Sequence, residues 1–110
     1  MTEAINPQLN LRRLYEDAPR YAKAKAERIY IEEFRKSLKA QLMKKCGEQV
    51  ISAQEREAYA SPEYVQLLEG LRDAVEREET LRWRMVQASA AIEVWRSQEA
   101  SARNMDRGAA

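Results

Sequence analysis

Apolar residues recur at threes and fours along two long stretches of this chain, the spacing that places them on one side of an α-helix. In the first stretch Ala24, Ile31, Phe34, Leu38 and Leu42 share a stripe; in the second Leu67, Leu71, Ala74, Leu81, Met85, Ala88, Ile92 and Trp95 do. Turn and cap residues set the predicted bounds. Asp17, Ala18 and Pro19 read as a helix start, because a short acceptor side chain caps free N–H groups and proline suits the first turn. A basic helix over 18–46 follows. It closes at Gly47, read as a left-handed terminator, with Lys44 and Lys45 at the negative end of the helix dipole. Ser52 and Glu55 have capping-box spacing and predict a short helix from Ala53 to Tyr59 inside a connector spanning 47–61. Ser61, Pro62 and Glu63 then open a helix over 62–105, roughly 65 Å long at ~1.5 Å per residue, before a tail at 106–110. Residues 1–16, with Pro7, read as an arm or short helix that takes its order from a partner surface.

The expected fold is all-α, a single helical domain in which two long helices, joined by a short helical connector, form an antiparallel hairpin. Tyr64, Leu68, Val75, Trp83, Val86 and Val94 lie partly off the main stripe of the third helix, an apolar surface too wide for two helices to bury. The hairpin is therefore expected to assemble into a homo-oligomer, with Leu71, Trp83, Met85, Ile92 and Trp95 as candidate interface residues. Gly70 and the small run from Ala88 to Ala91 would let helices approach closely; ordinary alanine helix propensity explains the run equally well.

Composition narrows the chemistry. With 110 residues, 45% hydrophobic and 34% charged, the chain has room for one domain. The N-terminus has no basic start followed by an apolar run, and no segment is apolar enough to span a membrane, so a soluble, cytoplasmic protein is expected. A basic helix with one Phe and no Trp on its apolar side is also a poor membrane-surface binder. Histidine is absent and Cys46 is the only cysteine, which excludes an intrachain disulfide, the usual zinc clusters, Ser-His-Asp and Cys-His pairs and Glu-x-x-His di-iron sites. No Gly-rich phosphate loop occurs. Glu76, Glu78 and Glu79 lie beside Arg72, Arg77 and Arg82 at helix-pair spacings and read as a salt-bridged surface. Neither enzymatic activity nor a metal or cofactor is expected, and Cys46 is read as a structural or incidental thiol.

Charge is segregated. From Arg12 to Lys45 eleven basic residues stand against five acidic ones, net +6; from Cys46 to Leu81 three stand against nine, net −6; from Arg82 onward five stand against three. On a helical wheel Lys25, Arg28, Arg35, Lys36 and Lys39 gather within roughly 100° of arc beside the apolar stripe, with Tyr21 on the same side and Glu32 intruding. Such a ridge serves a polyanion, most naturally single-stranded nucleic acid, with Tyr21 and Tyr30 available for stacking; it serves equally a solvated or intersubunit face, or an acidic protein partner.

The segment Leu38 to Gly47, Leu-Lys-Ala-Gln-Leu-Met-Lys-Lys-Cys-Gly, resembles an element of the UvsY family of phage recombination mediators. Leu38, Lys39, Ala40, Leu42 and Gly47 carry the match, and the plan of a basic helix, a polar connector and a long C-terminal helix with an aromatic-rich segment, here Thr80 to Val86, is similar. Gln41 stands where the family has an arginine, and Met43 and Lys44 where it has an acidic-aromatic pair. The resemblance implies a helical, ring-forming protein of six or seven subunits that binds single-stranded DNA and helps load a recombinase onto DNA covered by a single-strand binding protein. It carries Lys39 over as a DNA-contact candidate; Lys44 and Lys45 could compensate for the missing arginine. The expected DNA-binding residues are Lys25, Arg28, Arg35, Lys36, Lys39, Lys44 and Lys45, in a recombination accessory factor of a bacterial host cell. The alternative is a helical protein-protein adaptor or inhibitor with no nucleic-acid binding.

Overall fold

A computed structural model describes residues 4–109. They form three helices, α1 (Pro7–Lys45), α2 (Ile51–Ala60) and α3 (Pro62–Ala109), with no strand among the described residues. The all-α expectation holds.

The start of α1 corrects the sequence reading. The helix begins at Pro7, not after Asp17, so residues 7–16 are its opening turns and not a separate arm. The cap-then-proline pattern occurs twice, and the earlier copy is the one used. Asn6 caps the helix through its side-chain oxygen, which accepts from Leu9 N–H at 3.1 Å, and Pro7 takes the first position. Pro19 lies within α1, where it offers no N–H to the carbonyl of Tyr15. Both residues are exposed, so water can satisfy that oxygen. Asp17, freed from capping, is buried instead.

The connector differs in two further details. No glycine has a positive φ among the described residues, so Gly47 ends α1 without the left-handed turn. Helix α2 starts at Ile51 behind Val50, which gives no side-chain cap, and Ser52 lies inside the helix where it closes no capping box. The Gln54 amide donates to the carbonyl of Glu48 at 2.9 Å and ties the segment before α2 to its first turn. At the other end Ser61 acts as foreseen: its hydroxyl donates to the carbonyl of Ala58 at 2.8 Å and accepts from Tyr64 N–H at 3.3 Å, opening α3 at Pro62.

The chain packs as two units, Ala22–Glu79 and a second built from the stretch up to Tyr21 with that from Thr80. Within Ala22–Glu79, α1 and α3 run antiparallel: Arg28 meets Glu78, while Ile31, Phe34 and Leu38 share a groove with Glu63, Gln66, Leu67 and Gly70. Its buried apolar residues are Ala24, Ala58, Tyr64 and Ala74. The rings of Tyr59 and Tyr64 meet edge to face, 5.1 Å between centroids. Small side chains gain little from leaving water, at about 25 cal/mol per Å². Polar contacts are correspondingly prominent. Gly70, read as a point of close helix approach, has nothing within 4 Å of where a Cβ would stand; buried Ala24 and Ala74 occupy the tight positions. In the other unit Ala88 is buried together with Asn10 and Asp17.

Candidate nucleic-acid interface

The basic ridge is carried by the part of α1 within Ala22–Glu79, and its members divide by what they touch. Arg28 lies at the edge of the packed seam, one step of four beyond Ala24. Its guanidinium donates to both carboxylate oxygens of Glu78, Nη2 to Oε1 at 3.1 Å and Nε to Oε2, and through Nη1 to Glu32 at 3.0 Å. The Glu78 side chain is 8% exposed and that of Arg28 24%, so the pair is shielded from water and the fork geometry is bidentate. Hydrogen bonding to Glu78, then to Glu32, holds the guanidinium well above its already high ordinary value.

Lys39 also turns inward. Its ammonium lies 4.9 Å from the centroid of the Tyr59 ring and 3.5 Å from Glu55 on α2. The contact with Tyr59, aided by the field of Glu55, raises its affinity for the proton. Lys36 is exposed and paired with Glu33 at 3.5 Å, one turn away. Lys25, Arg35, Lys44 and Lys45 are exposed and form no ion pair among the described residues. Helical geometry keeps Lys25, Arg35 and Lys36 on one side of α1 and puts Lys44 and Lys45 on others, at the helix end.

The acidic middle segment thus answers part of the ridge within a single chain. Arg28 to Glu78, Lys39 to Glu55, and Arg77 to Glu27 at 3.2 Å, all join α1 to α2 or α3. Of the two tyrosines, Tyr21 is half-buried at a seam position, while Tyr30 is 68% exposed and stacked on Phe34, 6.1 Å between centroids, on a different side of α1 from Lys25 and Lys36.

Among the residues expected at an oligomer interface, Leu71, Met85, Ile92 and Trp95 are half-buried at seam positions that step by threes and fours through the buried Ala74 and Ala88. They belong to the packed side of α3. Trp83 is 57% exposed, with Arg82 over its ring at 5.0 Å.

Two polar residues went unnoticed as site builders. Asp17 is 1% exposed, with Arg20 Nη1 at 3.4 Å from Oδ1 and Arg84 Nε at 3.2 Å from Oδ2. The second contact lacks hydrogen-bond direction, so it is charge attraction without a directed bond. Glu78 is the other. A seam traced strictly by threes and fours passes through Asn10, Asp17, Ala24 and Arg28 on α1 and through Ala74, Glu78 and Leu81 on α3; following the step and not the apolar residues would have found both acids.

Among the described residues no cluster of three or more potential ligands could hold a metal, and no helix is long and apolar enough to cross a membrane. Cys46 is free and half-buried. Comparison with protein-family models, with curated proteins and with solved structures finds no match.

Proposed function

We propose that the chain is a non-enzymatic accessory protein that self-associates and binds single-stranded DNA along α1, serving phage recombination by presenting an extended strand to a recombinase. The observation that carries this reading is the set of exposed cations left without an acidic partner among the described residues, Lys25, Arg35, Lys44 and Lys45, in a helix whose inward cations are already neutralised. Arg28 and Lys39 act as hairpin braces, and the outward cations, with Lys36, do the binding. Phosphate neutralisation releases counterions, and repetition of weak contacts in an oligomer raises the effective affinity.

Fluorescence anisotropy of a labelled single-stranded oligonucleotide tests it, titrated at several salt concentrations beside the matching duplex. Binding should favour the single strand and weaken with salt, with a log-log slope of about −0.7 per phosphate contacted. Lys25→Glu combined with Arg35→Glu should abolish it while helicity persists. Absence of binding at low salt, or binding indifferent to these changes, refutes the reading.

A second reading, a helical adaptor that docks on another protein, is favoured by large apolar side chains left exposed on the outer faces, Leu11, Tyr30, Ile51, Val65 and Trp83 among them. It gains if the anisotropy experiment fails while the chain captures a protein partner.

A further inference from the structure

Within the unit that contains Thr80–Ala109, α3 has two apolar sides. One carries Leu81, Met85, Ala88, Ile92 and Trp95 and is the packed one, with Ala88 at 2% exposure. The other carries Trp83, Val86, Ala90, Val94 and Ser97, stepping by three, four, four and three. Trp83, Val86 and Val94 there are 57%, 45% and 48% exposed. Between Arg84 and Glu93 the helix has no charge on any side, in a chain of which 34% is charged. An uncharged stretch of helix is ordinarily shielded from water, yet Trp83, Val86 and Val94 on this side remain exposed.

We infer that the outer side of α3 around Trp83 to Val94 is an antiparallel contact with α3 of a second copy of this chain. Charge selects both the occupant and its direction. Arg82 and Glu93 flank the outer stripe on the same side, eleven residues apart. A parallel partner would set Arg82 against Arg82 and Glu93 against Glu93. An antiparallel partner related by a twofold axis between Gln87 and Ala88 sets Arg82 against Glu93 twice, at the two ends of the contact. In the same register Trp83 of each copy falls between Ala90 and Val94 of the other, where alanine leaves room for an indole. Arg82 already lies over the Trp83 ring, so cation and ring are presented together. Glu93 pairs with Arg96 at 3.1 Å in an exposed contact that competes weakly.

This contact rests on the proposal that the chain self-associates and is independent of DNA. Sedimentation velocity of the full chain without nucleic acid, over a micromolar concentration series, tests it, with circular dichroism as the check on folding. The wild type should form dimers or multiples of them. Trp83→Ala should lose the dimer with helicity intact, and Arg82→Glu should weaken it about tenfold or more. Arg82→Glu combined with Glu93→Arg, which restores opposite charges across the twofold, should recover it. A wild type that stays monomeric overturns self-association and this contact together. An assembly that survives Trp83→Ala and Arg82→Glu unchanged overturns the contact alone, as does failure of the double reversal to recover what the single one lost.

Discussion

Ala74→Leu asks how closely α1 and α3 approach, because the sign of its effect depends on the room available. Ala74 is 3% exposed, and Ala24 in the same unit is 2% exposed. The substitution adds three carbons. Were a void present, burying them would stabilise the fold by about 0.8 kcal/mol each, roughly 2.4 kcal/mol in all. With the position already closed off from water, the added volume must push the helices apart or force a poor rotamer, at a cost of about 1–3 kcal/mol. The structure favours the second outcome. Thermal unfolding followed by far-UV circular dichroism would register it as a fall in Tm of about 4–8 °C per kcal/mol. Glu76→Leu, at an exposed position on the same helix, is the control and should stay within about 0.5 kcal/mol of wild type. A rise in Tm on Ala74→Leu, or no change, would show that the alanines do not hold the helices close and would refute the packing described for Ala22–Glu79.

Glu78→Arg alone should lower the Tm by opposing Arg28 with a like charge in a shielded site, and adding Arg28→Glu should recover most of the loss; melts of the four chains in a double-mutant cycle check this, and independent effects would deny the pairing. Lys39 has a raised pKa, so the stability it contributes is complete below its ordinary value of about 10.5 and is lost as pH rises through the higher folded value. The stability gap between wild type and Lys39→Met should therefore stay constant up to that region and narrow above it in urea melts; a constant gap at alkaline pH contradicts the contact with Tyr59 and Glu55. Pro19→Ala should stabilise the chain by about 2 kcal/mol, since restoring a helix hydrogen bond outweighs the extra freedom of the unfolded chain; a lower Tm would mean that Pro19 serves the native packing.

The long helix and its start were legible because Ser61 and Pro62 sit before an uninterrupted run of helix formers, and no competing signal lies nearby. Helix α1 was misread at its start because Asp17 with Pro19 imitates a cap as well as Asn6 with Pro7 does. Local grammar cannot choose between them, because the burial of Asp17 beside Arg84 is a tertiary outcome. The ridge was legible as a charge excess but not as two populations. Which cations face α2 and α3 depends on the register of the hairpin, and that register is a tertiary property. Reading apolar residues alone also hid the charged steps of the seam at Asp17, Arg28 and Glu78.

The turn between α1 and α2 has no part in any buried contact: Gly47 to Ser52 are all exposed, and α2 meets α1 further along, where Lys39 reaches Glu55 and Tyr59. What joins the helices of Ala22–Glu79 is the alanine seam and the pairs Arg28 with Glu78, Arg77 with Glu27 and Lys39 with Glu55, every one of them between segments and none within the turn. Cutting the chain at that tip would therefore remove no buried contact. An insertion or fusion placed there would likewise cross no buried surface, so the tip is the expected point of tolerance in Ala22–Glu79.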